Sequence, residues 1–305
     1  MRVNSRVGTR PDGDPSACAA GAPTLNVSGY LFTAVDDPEA LRERLERELG
    51  ACAVRGTVLV AAEGINVALA GDAAAVARAR AALAADPRLA PLRLKESRSE
   101  AVPFGRLKVR VRPEIIAFDG GRLDAAARAP AVTPDELARW LDDGPDGGGP
   151  GDGPGGGRRA VRLLDARNAY EVEAGAFEGA IDLGIDHFGE FRDAVEAALA
   201  DGTLDPAAPL VTYCTGGVRC EKATPWLIER GFERVWQLDG GILDWLAARG
   251  AERWRGDCFV FDGRVSVDAA LRPTGATPCP GCGTAVRPGA RCGCGHRADA
   301  VPEAG

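Results

Sequence analysis

Three groups of residues in this 305-residue chain have types and spacings that point to chemistry. The first centres on Cys214, in the stretch Leu210–Lys222, L-V-T-Y-C-T-G-G-V-R-C-E-K. Leu210–Tyr213 has the length of a buried strand, Cys214 follows at once, and an amphipathic run begins at Cys220 and ends near Arg230. That order is strand, tight loop, helix. Gly216 and Gly217 permit backbone angles that turn N–H groups toward one point, and the helix start adds its own unpaired N–H groups. A thiol at the centre of such a cradle, beside a cation, has a lowered pKa and acts as a nucleophile. Cys214 is thus the expected reactive atom, Arg219 its cationic partner, and Thr215, Gly216, Gly217 and Val218 the anion cradle. The competing reading, a small buried hydrophobe after a strand, accounts for none of the glycine pair, the arginine or the helix start. Cys220 has two readings: a resolving thiol for Cys214, or an inert residue packed at the helix start.

The second group is at the C-terminal end. Cys279-Pro280-Gly281-Cys282-Gly283 has the form of a zinc knuckle, a tight turn that aims two thiolates at one ion. Cys292-Gly293-Cys294-Gly295-His296 supplies the other half, with tighter spacing and with His296 as an alternative to Cys294. The expected ligands are Cys279, Cys282, Cys292 and Cys294. The third group is Arg106-Leu107-Lys108-Val109-Arg110-Val111-Arg112, where basic and apolar residues alternate strictly. A strand with that period turns Arg106, Lys108, Arg110 and Arg112 to one face and the apolar residues to a core. Residues 93–112 hold seven basic and two acidic residues, a net +5 within a chain of net charge −7. The stripe is either a phosphate-backbone contact for RNA or a solvated, ion-paired strand face.

These groups need elements to hold them. Residues 1–24 lack periodicity and read as a disordered extension. Residues 25–141 read as β-α-β-β-α-β, the ferredoxin-like arrangement, followed by the basic strand and a short helix opened by Thr133-Pro134-Asp135-Glu136. The strands are Asn26–Ala34, Cys52–Ala61, Ile65–Ala70 and Leu92–Glu96, and the helices Pro38–Leu49 and Ala73–Ala84. Residues 142–159 are nearly all Gly, Pro and Asp, a linker and an expected domain boundary. Residues 160–255 alternate strands with helices, which implies a parallel sheet covered on both faces, with chemistry at the carboxyl ends of the strands. Asp165 and Arg167, after the strand Ala160–Leu164, are expected to form a buried polar bridge. Residues 256–305 are a Cys-rich tail. Nine cysteines, an odd number without disulfide-like spacing, and the lack of an apolar leader or membrane-length run point to a cytoplasmic protein.

Several of these motifs share one resemblance. Residues 160–250 resemble the rhodanese domain, through Leu164–Glu171 (L-D-A-R-N-A-Y-E), Gly179-Ala180-Ile181, the Cys214–Arg219 loop and Leu238–Ile242 before Trp245. More narrowly, Tyr213–Lys222 (Y-C-T-G-G-V-R-C-E-K) is similar to the signature of the rhodanese-containing tRNA uridine hydroxylases. Ala62–Asn66, Leu107–Ile115 and Cys258–Asp262 fit that family's other segments. The resemblance implies an acylphosphatase-like N-terminal domain and an oxidoreductase that forms 5-hydroxyuridine at the wobble position of tRNA. By the same resemblance molecular oxygen is co-substrate and Cys214 is the persulfide-forming cysteine, charged by a sulfur donor. No cofactor for the oxidation is identifiable from motifs; zinc in the tail is the one metal expected. The glycine-rich linker departs from the family as an insertion, and the tail is shorter than usual. Arg219 closes a six-residue loop, one residue shorter than in cysteine phosphatases, which suits a sulfane sulfur better than a phosphate ester. Two rival functions are a sulfurtransferase moving sulfane sulfur from thiosulfate to an acceptor, which needs no RNA surface, and a binding module with a decayed loop, which the intact Cys214 and Arg219 oppose.

Overall fold

The computed structural model describes residues 23–118, 129–142 and 160–295. All but the last two residues of the expected N-terminal extension, most of the glycine-rich linker and His296 lie outside the described residues. The N-terminal domain runs β1 (Thr24–Phe32), α1 (Pro38–Gly50), β2 (Arg55–Ala61), β3 (Gly64–Gly71), α2 (Ala73–Ala84), β4 (Lys95–Ser99) and β5 (Leu107–Val111). Its sheet has the order β4-β1-β3-β2-β5. The first four are antiparallel neighbours in the ferredoxin-like order, and β5 is added at the edge, parallel to β2. Helix starts follow from sequence: Asp37 accepts from the Ala40 N–H at 2.9 Å with Pro38 in the first turn, and Asp72 accepts from Ala75 N–H at 2.6 Å. Val58, Val60, Ile65, Val67 and Leu69 point to the helix side and pack with Leu41, Leu45, Val76 and Leu83. The strand expected over Leu92–Glu96 lies three residues later. As an edge strand, β4 is held by backbone pairing to β1, so its sequence K-E-S-R-S carries no apolar signal.

The second domain runs β6 (Ala131–Val132), α3 (Pro134–Asp142), β7 (Arg162–Asp165), α4 (Ala169–Ala174), β8 (Gly175–Phe177), β9 (Ile181–Asp182), α5 (Phe191–Ala200), β10 (Leu210–Tyr213), α6 (Cys220–Glu229), β11 (Val235–Leu238), α7 (Gly241–Arg249) and β12 (Trp254–Gly256). Its five-stranded sheet, β6-β11-β10-β7-β9, is parallel throughout. β10 is central and all four of its residues are buried, because both faces are covered: Phe191, Val195 and Leu227 pack on one side, Leu137, Ile242 and Trp245 on the other. A single 3-10 turn, Phe188–Glu190, precedes α5.

The expected boundary at residue 142 is corrected by the pairing. Leu238 is in register with Val132, and α3 packs on α7, so residues 131–142 belong to the parallel sheet. The crossing comes earlier: Phe118 is already packed among Phe188, Phe191 and Trp226 of the second domain. The glycine-rich stretch therefore interrupts the second domain between α3 and β7. After β12 come two small hairpins, β13 (Cys258–Phe259) with β14 (Ser266–Val267), and β15 (Thr277–Pro278) with β16 (Ala285–Val286).

Candidate active site

Cys214 is the first residue after β10, at the carboxyl end of the central strand, and is fully buried. The loop is shaped from below by the start of α7. Ile242 N–H donates to the Cys214 carbonyl at 3.0 Å and Leu243 N–H to that of Thr215 at 3.1 Å. This approach requires glycine at 241: its φ is +63°, and a Cβ there would lie 2.3 Å from the Cys214 carbonyl oxygen. Of the two loop glycines, only Gly217 takes a positive φ (+101°); Gly216 has ordinary angles and open space around it. The cradle is thus narrower than the glycine pair suggested. Gly217 N–H points at Cys214 Sγ at 3.1 Å, and the Arg219 backbone N–H also donates to it.

Burial pushes the Cys214 thiol up, but a hydrogen bond from the Cys220 thiol, the Arg219 charge and the two N–H groups outweigh it and lower the thiol to about 6. Burial and the bond to Cys214 push Cys220 the other way, well above the ordinary thiol range. Cys220 is therefore a protonated donor to the Cys214 thiolate, with Thr212 as its own further partner. The structure brings Cys214, Cys220 and Arg219 together in one buried cluster.

Arg219 does not end at the sulfur. Its guanidinium makes a paired contact with Glu171, Nη1 to Oε1 and Nη2 to Oε2 at 2.7 Å each, and both side chains are buried. Burial works against the arginine charge; Glu171 more than restores it, so Arg219 stays cationic. Glu171 also closes the first turn of α4 by accepting from Asn168 N–H at 3.2 Å. α4 is in turn fixed by Arg167, which is fully buried, paired with Asp165 (2.6–3.1 Å), and donates to the carbonyls of Glu171 and Gly175. The bridge expected between Asp165 and Arg167 therefore positions the helix that carries the partner of Arg219. Sequence reading missed Glu171. The signal was present, a carboxylate in the first turn after the L-D-A-R strand end, but nothing in the spacing says that it reaches Arg219 48 residues away.

The N-terminal domain also reaches the loop. Tyr30 on β1 lies over Gly217, where a Cβ would be 2.7 Å from its hydroxyl, and it donates to Glu221 at 3.1 Å. Lys222, buried in α6, bonds Glu63 (2.8 Å) and Glu114 (2.5 Å), and Lys95 bonds Asp244 (2.6 Å) and the Gly240 carbonyl (2.5 Å). Two of the chain's three lysines therefore tie the two domains beside the Cys214 loop, and the third, Lys108, is on the basic strand. His187 is exposed, with its Nε2 3.3 Å from Glu190.

Arg106, Lys108, Arg110 and Arg112 are all exposed, while Val109 between them is buried. Among the described residues none of the four makes an ion pair with another described side chain. Residues directly opposite in a sheet share a face. Register makes one row of Arg110, Leu59, Asn66 and Tyr30, with Arg110 three strand spacings from Tyr30, about 14 Å. The basic stripe and the tyrosine over the thiol loop are on the same face of one sheet.

In the tail, the Sγ atoms of Cys279, Cys282, Cys292 and Cys294 all lie within 4.8 Å of one another, with separations of 3.5 Å (279–294), 3.2 Å (282–292) and 3.3 Å (292–294). Tetrahedral zinc with thiolate bonds of ~2.3 Å needs sulfurs about 3.8 Å apart, so the donor set fits a metal. The cluster sits against α4, two residues from the carboxylate that holds Arg219: Thr284 Oγ1 donates to Glu173 at 2.5 Å. A cleft of about 470 Å³ runs between α4 and the tail without reaching Cys214.

The two domains and the loop define a rhodanese-type α/β unit joined to an acylphosphatase-like one. Residues 24–115 match the UPF0176 acylphosphatase like domain, and residues 133–248 match the rhodanese-like domain. A tRNA uridine(34) hydroxylase of Bordetella petrii is 45% identical over 256 residues, 83% of this chain and 96% of that protein. One from Xanthomonas campestris pv. campestris is 46% identical over 82% of this chain and 94% of its own. Among solved structures, the rhodanese-like domain of an Anabaena protein is 24% identical with a TM-score of 0.31, over 42% of this chain and 79% of that one. This chain belongs to the tRNA uridine(34) hydroxylase family.

Proposed function

We propose that this protein hydroxylates C5 of uridine 34, the wobble position of tRNA, in an oxygen-dependent reaction that uses Cys214 as a persulfide carrier. The observation that carries this reading is the row Arg110–Leu59–Asn66–Tyr30, which joins an exposed basic strand to the thiolate loop across a single sheet face. A sulfurtransferase acting on small anions needs the loop and has no use for that stripe, whereas a phosphate backbone lying along β5 needs it. The family membership supports the same reading.

Within it, each residue has a task. The Cys214 thiolate attacks the sulfane sulfur of a donor such as thiosulfate. The new S–S bond forms as the donor's S–S bond breaks, and its electron pair leaves with sulfite. The Gly217 and Arg219 N–H groups and the Cys220 thiol then hold the persulfide anion. Arg219, clamped by Glu171, keeps the loop electropositive. Arg106, Lys108, Arg110 and Arg112 bind tRNA phosphates. Cys279, Cys282, Cys292 and Cys294 hold a zinc ion that fixes the tail against α4. Among the described residues no helix is long and apolar enough to cross a membrane, and reduced thiols suit action in the cytoplasm.

The test is nucleoside mass spectrometry of tRNA from a deletion strain complemented with wild type, Cys214→Ser, or a triple variant with Lys108, Arg110 and Arg112 changed to Ala. Wild type restores 5-hydroxyuridine and Cys214→Ser does not, although it binds tRNA normally. The triple variant loses modification with tRNA affinity, its binding loses about 2–3 from the salt slope, and its sulfur transfer from thiosulfate persists. Modification by Cys214→Ser sinks the persulfide role. Absence of any uridine 34 change on deletion sinks the reading as a whole and leaves the sulfurtransferase.

A further inference from the structure

Phe261 is 62% exposed; among the described residues only Ile228, at 44%, joins it as a large exposed apolar side chain. Its position is not that of a loose surface loop. Asp262 is paired with Arg264 through three contacts of 2.6–3.1 Å, both nearly buried. Arg264 also donates to Ser97 of β4 at 2.6 Å, and Gly263 N–H to the Pro103 carbonyl at 2.8 Å. Val260 N–H closes the turn on the Val265 carbonyl at 2.9 Å, which holds Val265 at φ +61°. The turn is thus pinned to the N-terminal domain on one side and continuous with β13 on the other, and it keeps a phenylalanine in solvent.

What the ring touches is equally specific. The Arg219 guanidinium lies 5.6 Å from its centroid, and Phe259 meets it edge-on at 5.4 Å. Phe259 continues inward to Tyr170 at 5.2 Å, and the Phe259 carbonyl accepts from Thr215 of the thiol loop at 3.5 Å. One end of an aromatic chain is therefore anchored in the reactive loop and its other end is bare. Burying a phenylalanine is favourable, so a rigid turn that exposes one beside the single arginine of the Cys214 loop forgoes stability for contact with something planar.

We infer that Phe261 is the stacking platform for the uracil ring of the target nucleotide, holding the extruded base at the mouth of the Cys214–Arg219 loop. Single-stranded bases are recognised in RNA by stacking on aromatic faces, and a base that undergoes chemistry must leave its neighbours. The inference rests on the tRNA reading above and adds the residue that positions the base, which the phosphate contacts of β5 cannot do.

The experiment uses the full chain and two synthetic anticodon stem-loops, one with uridine at position 34 and one abasic there. Fluorescence anisotropy measures binding for wild type, Phe261→Ala and Phe261→Trp, and hydroxylation is measured on the uridine RNA. Wild type prefers the uridine RNA. Phe261→Ala loses about 5- to 150-fold in affinity for it, the range of base–aromatic stacking, and nothing for the abasic RNA; Phe261→Trp retains the preference. Thermal melts of both variants match wild type, because the side chain is mostly exposed. The inference is overturned if wild type binds the two RNAs alike, if Phe261→Ala binds the uridine RNA as wild type does, or if it weakens both equally. A wild type that discriminates between the RNAs yet forms no 5-hydroxyuridine overturns the hydroxylation reading and leaves Phe261 as a base-binding residue.

Discussion

The Glu171–Arg219 pair yields the most quantitative prediction. Changing Glu171 to Gln keeps the shape of the side chain and removes the charge that compensates a buried guanidinium. Arg219 is 4% exposed and both of its terminal nitrogens are committed to Glu171 at 2.7 Å, so no solvent replaces the lost partner. Breaking a buried pair by removing one member costs about 3–5 kcal/mol, far above the ~0–1 kcal/mol of an exposed pair. A second effect has the opposite sign for reactivity. With Glu171 neutral, Arg219 acts on Cys214 without an opposing charge, so the thiol falls further below about 6. Glu171→Gln is therefore less stable in urea while its thiol titrates at lower pH. The assays are urea melts and the pH dependence of iodoacetamide inactivation, with Arg219→Met and the double variant completing a cycle. The double variant strands no charge and recovers much of the stability lost in Glu171→Gln. Additive losses in the cycle, or a thiol midpoint that rises in Glu171→Gln, would refute the account of Arg219 as a clamped cation.

Two further outcomes follow from the same structure. Inactivation of wild type at Cys214 is level at neutral pH and falls as pH drops through about 6, whereas an ordinary thiol near 9 still gains rate above neutrality; Cys220→Ala removes a donor and moves the midpoint up. The sign for stability agrees: the depressed thiol contributes fully above 9 and loses its contribution as pH falls to about 6. In the tail, native mass spectrometry finds one zinc per chain, a strong chelator removes it, and Cys282→Ser weakens its binding. Metal loss releases the Thr284–Glu173 contact and speeds proteolysis after residue 275, and a purified chain with no metal refutes the zinc site.

Local signals made much of this protein legible from sequence. Capping at Asp37 and Thr133 set helix starts, and the uninterrupted apolar run Leu210–Tyr213 marked a strand buried on both faces. Strict alternation in residues 106–112 fixed which side chains are exposed, because the side-chain period of a strand is two whatever it pairs with. A thiol between a strand and a glycine-containing turn was sufficient to locate the candidate nucleophile, since the Gly217 and Arg219 N–H groups that face it come from the same loop. Other features depend on distance in space, for which the chain carries no local code. The carboxylate that clamps Arg219, the lysine bridges from the N-terminal domain and the tyrosine over Gly217 are contacts between segments 48 to 191 residues apart. The domain boundary was misplaced for the same reason: a glycine-rich stretch looks like a linker locally, and only the pairing of Val132 with Leu238 shows that the sheet begins before it. The sequence alone determined that a cradled thiolate and a basic strand exist; tertiary structure decided that they share one face, because packing of the two domains turns the sheet's open side onto the loop.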